Sequence, residues 1–392
     1  MRGNRKLKCY SGDVRDTSVY VHFPWCARKC PYCDFATRGV DPATIPHARY
    51  VAALRTELAS RAADLAGRRL FSVFFGGGTP SLWDPDAVGD ALAAIRDAFD
   101  AEVDALEVTI EANPSSLLRE PLERLVARGV NRVSIGTQSL RDGHLKFLGR
   151  LHDRDEALRA IEHALEVVPR ASADLMFGMP GQRAHALEED VRELLATGLR
   201  HVSAYALTIE PGTQFGELHR LGKLEVSDED TYASLYETVE RVMGEHGLEH
   251  YEVSNYAVPG EASRHNQHYW RGGAYLGLGA AAVGCLDRGV GRAERQRNAS
   301  DPEKYMRGDG PEETEELDAD AIIREGLMLG LRTSEGVNVS ALSERAGVDW
   351  RKGRSRAVER ALSEGNLELT ETTLRVPHSR WLLLDGIVAA LF

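Results

Sequence analysis

Six times between residues 18 and 207 a short apolar run rich in β-branched side chains is followed by an amphipathic stretch. The strand-like runs are 18–23 (SVYVHF), 70–75, 106–110, 131–135, 171–177 and 201–207, and the helical stretches among them are 50–66, 86–99, 120–128, 154–167 and 186–195; after about 221 the pattern changes, and 229–245 reads as a long helix. Near-continuous apolar strands suit a parallel sheet covered by helices. Their alternation with helices predicts an α/β barrel or a doubly wound sheet. In barrels of this kind chemistry gathers at the C-terminal ends of the strands. The unusual residues fall there: a cysteine loop, the triplet Gly76-Gly77-Gly78, Glu111, Gln138 and Asp174.

Three of the five cysteines, Cys26, Cys30 and Cys33, lie within eight residues after the first strand, spaced C-x3-C-x2-C. Closely set thiolates in one loop are the usual ligands of iron–sulfur clusters. A structural zinc site would ask for a fourth ligand, and no further Cys or His stands at a finger-like spacing. Five cysteines in 392 residues make no disulfide scaffold. A four-iron cube held by three thiolates keeps one iron free for a small molecule. The spacing, with aromatic Tyr32 before the last cysteine, resembles the radical S-adenosylmethionine (SAM) superfamily. That resemblance implies a 4Fe–4S cluster on Cys26, Cys30 and Cys33, with SAM on the open iron. Six β–α units agree with the partial, open (β/α)6 barrel of that superfamily.

Other strand ends carry weaker signals. Gly76-Gly77-Gly78-Thr79-Pro80 lets backbone N–H groups approach a ligand, or makes a tight strand-to-helix turn. Glu111 stands where a carboxylate holds ribose hydroxyls or caps the next helix. Asp174, at the end of an apolar strand, is costly unless paired. Arg150 either pairs with a ligand carboxylate or lies on a solvated surface.

The motifs YVHFPWC…CPYCDF, FFGGGTPS, IEANP, SIGTQS, DLMFGMPGQ, HNQHYW and MLGLR…GV together resemble the HemW haem chaperone family, related to oxygen-independent coproporphyrinogen III oxidase. By residue-by-residue match the resemblance implies SAM contacts at Tyr20, Tyr32, Gly77, Gly78, Thr79, Glu111, Gln138, Arg150, Asp174 and Ala206. It also implies haem as a cofactor, with His265 at the motif position for an axial ligand and His268 at a variable one. From residue chemistry alone, HNQHYW reads sooner as a hydrogen-bonded packing segment, although imidazole suits haem iron and aromatics suit a porphyrin face. The small side chains of 272–284 would leave room for a flat ligand. Phe35 stands where the oxidase has a further cysteine, and the oxidase lacks the histidine motif. Both departures favour a chaperone that delivers haem to acceptor proteins over a decarboxylating oxidase or a radical methyltransferase. An electron donor for the cluster is a further implied partner.

The rest of the chain is organised around this core. Residues 1–17 read as a flexible leader, 18–250 as the radical SAM barrel, 251–310 as a connecting segment with HNQHYW, and 311–392 as a smaller C-terminal α+β, winged-helix-like domain. The acidic 308–316 reads as a linker, and 381–392 as a helix. Cys9 and Cys285 read as spare thiols. A net charge of −12 argues against nucleic-acid binding. No run approaches the roughly 18 apolar residues of a membrane span. Residues 1–8 are basic without an apolar core, so a cytoplasmic location is expected.

Overall fold

The computed structural model describes residues 16–101 and 106–392. In chain order the strands are β1 (Asp16–Phe23), β2 (Trp25–Cys26), β3 (Arg38–Gly39), β4 (Arg69–Gly77), β5 (Glu107–Ala112), β6 (Arg132–Gln138), β7 (Arg170–Phe177) and β8 (His201–Ala206). They continue with β9 (Glu249–Glu252), β10 (Asn255–Ala257), β11 (Ala274–Leu278), β12 (Val283–Asp287), β13 (Ala293–Arg297) and β14 (Glu313–Leu317), then β15 (Val337–Asn338), β16 (Glu368–Leu369) and β17 (Thr373–Arg375). Twelve of them form one sheet in the order β14-β13-β12-β11-β1-β4-β5-β6-β7-β8-β10-β9. The six strands from β1 to β8 within that order run parallel. They are the six β–α units read from the sequence.

Side chains alternate across each strand, and the two faces differ sharply. Val19, Val21 and Phe23 on β1, Val73 and Phe75 on β4, and Val108 and Ile110 on β5 are fully buried against Leu54, Leu92 and Leu122 of the covering helices. The opposite face carries Ser18, Ser72, Ser134, Ser172 and Asp174, joined across strands by hydroxyl hydrogen bonds of 2.8 Å (Ser18 to Ser72) and 3.0 Å (Ser134 to Ser172 and to Asp174). Strands that looked continuously apolar are therefore half polar, because one face of each lines an interior surface.

Several stretches differ from their sequence reading. Residues 1–15, with Cys9, lie outside the described residues, and the leader cannot extend to 17. Asp16 is buried in β1 with both its oxygens 2.5 Å from the Arg69 guanidinium, and Thr17 is buried beside it. Residues 251–310 extend the sheet at both edges: β10 pairs antiparallel with β8, and β11 lies parallel to β1 with β12 and β13 following antiparallel. The glycines of 272–284 leave no slot for a flat ligand. A Cβ on Gly277 would meet the Val283 carbonyl oxygen at 2.2 Å, so these glycines let two backbones touch. The acidic stretch near 313–317 is strand β14, not a linker. Its carboxylates face the arginines of β13, with Arg295 and Glu315 3.0 Å apart.

Beyond β14 the elements follow the winged-helix order: helix Ala319–Gly330, β15, helices Val339–Ala346 and Ser355–Ser363, then β16 and β17, which close a three-stranded sheet with β15. A separate core of Ile323, Leu327, Leu342, Trp350, Val358 and Leu374 holds it together. The last segment is a 3-10 turn, His378–Leu383, followed by the short helix Leu384–Ala389, rather than one long helix. Cys285 is buried on β12, and burial pushes its thiol up to about 11.

Candidate active site and its metal centre

The cysteine loop leaves the C-terminal end of β1 and is tied down on three sides. The Val40 N–H donates to the Cys26 carbonyl at 2.9 Å, β2 pairs with β3, and the Phe215 N–H donates to the Pro31 carbonyl at 2.9 Å. Cys26 is buried, and Cys30 and Cys33 are half-buried, all three as free thiols. Among the described residues, the groups whose ligand atoms all lie within 4.8 Å of one another do not include these three sulfurs. A single zinc ion, with Zn–S near 2.3 Å, holds its sulfurs only about 3.8 Å apart. The wider set fits a polynuclear cluster better than one ion. The surroundings suit thiolate ligands: Arg150 Nη1 lies 3.6 Å from Cys30 Sγ, and the Thr79 and Thr37 hydroxyls face Cys26. Burial pushes the Cys26 and Cys33 thiols up in the bare protein, so a bound metal must offset that cost.

Next to this loop the end of β4 turns through the glycine triplet. Gly77 has φ +110°, and a Cβ there would lie 2.5 Å from the His22 ring. A Cβ on Gly78 would lie 2.4 Å from the Trp25 carbonyl oxygen, because the Gly78 and Thr79 N–H groups donate to the Phe23 and Trp25 carbonyls at 2.7 and 2.8 Å. The glycines thus fasten the turn to the cysteine loop. The Gly77 N–H donates to Glu111 Oε2 at 3.0 Å. Glu111 therefore does not cap a helix; it reaches across the interior face to the glycine turn.

Glu111 shares that face with Asp174. Burial pushes Glu111 up to about 8; Asp174 adds like charge, and the Gly77 N–H opposes both. Burial pushes Asp174 up to about 6, against hydrogen bonds from Ser203 and Ser134. Paired hydroxyls are how this strand-end acid meets the cost of burial. Two desolvated carboxylates thus share the interior face, with Arg150 and Arg132 also acting on Asp174. Tyr20 lies alongside, stacked on Phe74 at 6.2 Å, with its hydroxyl 3.0 Å from His22 Nδ1. His22 Nε2 is 3.2 Å from the Ala36 carbonyl, which assigns the ring proton to Nε2 and leaves Nδ1 to accept from Tyr20.

Arg150 is a clamp rather than a surface charge. Its Nη2 donates to the Gly136 carbonyl at 2.6 Å and to Asn113 Oδ1, while Asn113 Nδ2 donates to the Thr79 hydroxyl at 2.9 Å. Strands β4, β5 and β6 are thereby joined to the cysteine loop. Gln138 ends β6 with φ +66°, at a register shift. Ala206 ends β8, and Tyr32 packs on Phe215 with ring centroids 6.4 Å apart. A cavity of about 540 Å³ opens beside Cys30, Thr79, Asn113, Arg150 and Trp83. His22 and Asn113 are absent from the residues singled out in the sequence; the only signal for them is that they stand inside the strand-end motifs HFPWC and EANP.

His265 is elsewhere. It sits on the short helix Arg264–Trp270, with Nδ1 2.9 Å from the Ser72 hydroxyl, its backbone N–H on Glu107 at 3.0 Å and its ring 4.9 Å from that of Phe74. Burial pushes it down to about 3, so the imidazole is neutral. Its two neighbours on β4, Ser72 and Phe74, stand five and three residues before Gly77, so His265 lies along the interior face below the glycine turn. His268 is buried, with Nε2 2.9 Å from the Ala274 carbonyl and its ring stacked on Phe71. Its nitrogen is committed to packing.

A six-stranded parallel half-barrel with three loop thiols and a glycine turn at its strand ends defines a radical SAM protein, and residues 20–194 match the radical SAM superfamily model. Residues 317–383 match the HemN C-terminal domain. "Heme chaperone HemW" of Bacillus subtilis is 32% identical, over 95% of this chain and 98% of its own length. "Radical S-adenosyl methionine domain-containing protein 1, mitochondrial" of Mus musculus is 37% identical, over 95% and 87%. The chain belongs to the HemW family within the radical SAM superfamily. Its fold is that of the coproporphyrinogen III oxidase HemN of Escherichia coli, with a TM-score of 0.80 at 19% identity, covering 96% of this chain and 90% of that one.

Proposed function

We propose that the protein is a haem chaperone, which binds haem and passes it to acceptor proteins, with a 4Fe–4S cluster on Cys26, Cys30 and Cys33 and SAM beside it. The observation that carries this reading is the family relationship over nearly the whole chain to a protein named a haem chaperone. The fit of the thiol loop supports the cluster. When bound, such a cluster supplies an electron for reductive cleavage of the SAM sulfonium bond. The chain's own residues bind and orient. Gly77, Gly78 and Thr79 offer a turn close to the cluster loop, Arg150 fixes that turn through Asn113, and Glu111 and Asp174 face the ligand's positive charge. Tyr20, Tyr32, Gln138 and Ala206 complete the lining. His265 would hold the haem iron, with Nδ1 engaged by the Ser72 hydroxyl and Nε2 the remaining ring nitrogen. An electron donor for the cluster is the remaining proposed partner.

The HemN fold favours one rival reading, decarboxylation of coproporphyrinogen III. Anaerobic incubation of cluster-loaded protein with SAM, a reductant and coproporphyrinogen III separates the two. No protoporphyrinogen IX is expected; catalytic turnover would overturn the chaperone reading.

A further inference from the structure

Far from the cysteine loop, where the sheet edge meets the C-terminal domain, three side chains from three elements converge. Glu240 is on the helix Glu229–Glu245, His250 is on β9, and His378 opens the 3-10 turn His378–Leu383. Glu240 Oε1 contacts His250 Nδ1, and Glu240 Oε2 is 3.1 Å from His378 Nε2. One ligand atom from each residue lies within 4.8 Å of the other two. Among the described residues, both ion pairs that involve histidine meet on this one carboxylate.

A second observation points to a ligand. The His250 side chain is only 4% exposed, and neither of its ring nitrogens makes a hydrogen bond of acceptable geometry, although Nδ1 touches Glu240. Both ring nitrogens are thus buried polar atoms without a hydrogen-bond partner, beside a carboxylate that can ligate the same cation. The ring cannot turn away, because it is stacked on Tyr256 at 4.1 Å and meets Trp381 edge-on at 4.4 Å. The Tyr256 hydroxyl donates to Glu240 Oε1 at 2.8 Å, which orients the carboxylate from outside. His378 is 56% exposed, so the site opens to solvent on one side.

We propose that Glu240, His250 and His378 form a site for a divalent transition-metal ion, zinc first, which clamps the C-terminal domain to the edge of the main sheet. Two imidazoles and a carboxylate are a zinc-type donor set, and the open side leaves the fourth position to water. The site is independent of the thiol loop and of the haem reading.

The test uses the full-length, cluster-loaded protein, cleared of loose metal with a chelator and titrated with Zn²⁺ against a chromophoric competitor. One zinc per chain is expected. His378→Ala, an exposed position that leaves both cores intact, and Glu240→Gln should weaken it by at least the ~10–100-fold that loss of even a supporting partner costs. Absorbance near 400 nm should stay unchanged, which separates this site from the thiols. Added zinc should also raise the melting temperature of the unaltered protein and not that of His378→Ala. Equal zinc affinity in the unaltered protein and His378→Ala, or no saturable zinc outside the thiol loop, would overturn the proposal and leave the three groups as a proton-sharing contact.

Discussion

Replacing Gly77 by alanine puts a methyl group where His22 already stands. The Cβ would lie 2.5 Å from His22 Cε1 and 2.6 Å from Nδ1. The backbone would also hold an L-residue at φ +110°, a strain of about 1–3 kcal/mol. His22 has no free direction, since Tyr20 and the Ala36 carbonyl hold its two nitrogens. Moving it loses one or both hydrogen bonds, at about 0.5–1.5 kcal/mol each. Together these give a destabilisation of about 1.5–6 kcal/mol. Gly67 provides the control: its φ is +72°, but no atom lies within 4 Å of its Cβ position. Gly67→Ala should therefore cost only the backbone strain of ~1–2 kcal/mol. Urea unfolding followed by tryptophan fluorescence reads the difference, because Trp25 and Trp83 pack against Phe23 next to the turn. In cluster-loaded Gly77→Ala, calorimetry should find SAM binding at least tenfold weaker, or about 1.4 kcal/mol, because the clash with His22 displaces the turn and carries the residue-77 N–H away from Glu111. The absorbance of the cluster should persist, since the cysteine loop keeps its own ties. A Gly77→Ala protein as stable as Gly67→Ala, with unchanged SAM affinity, would refute the reasoning.

Three further outcomes are expected. Cys26→Ala, Cys30→Ala or Cys33→Ala should abolish the cluster absorbance near 400 nm (roughly where thiolate-bound clusters absorb), whereas the buried Cys285→Ala keeps it; loss in Cys285→Ala would mean a different ligand set. SAM carries a sulfonium cation, so its arrival next to Glu111, which holds a proton up to about pH 8, should expel that proton. SAM affinity then rises from pH 6 to 8 and proton release is measurable by calorimetry in buffers of different ionisation enthalpy. Tyr20 of β1, Asp174 of β7 and Tyr205 of β8 face the same carboxylate, so Glu111→Gln is the variant that assigns the proton; unchanged release in it would contradict the assignment. His265→Ala should lose or shift the Soret band of bound haem while cluster and SAM binding survive, and His268→Ala should act only on stability, because its ring is committed to Ala274 and Phe71; the reverse pattern would move the haem site.

Local pattern revealed the parallel strands, because their outward faces are unbroken Val, Ile and Phe, and a buried face leaves a mark on every second residue. It missed β13 and β14, whose sequences AERQR and ETEEL look like solvated loop. Their pairing is held by charges on opposite strands, and a single chain read in order cannot show which arginine meets which glutamate. The glycines of β11 and β12 misled for the same reason: a missing side chain signals either an opening or a close approach, and only the partner strand decides which. At the site, the cysteines and glycines were legible because their backbone or ligand chemistry is local. Arg150 was ambiguous, because its partners Asn113 and Gly136 lie 37 and 14 residues away. The convergence of Glu240, His250 and His378 was invisible, since it depends on the C-terminal domain folding back onto the sheet edge.

A haem chaperone carries haem rather than converting a porphyrinogen. Haem titration of the cluster-loaded protein, with and without SAM, followed by mixing with a haem-free acceptor protein, tests it most directly. Saturable binding of haem with a defined Soret band is expected, and movement of that band to the acceptor on mixing. Absence of saturable haem binding in both conditions would contradict the chaperone reading.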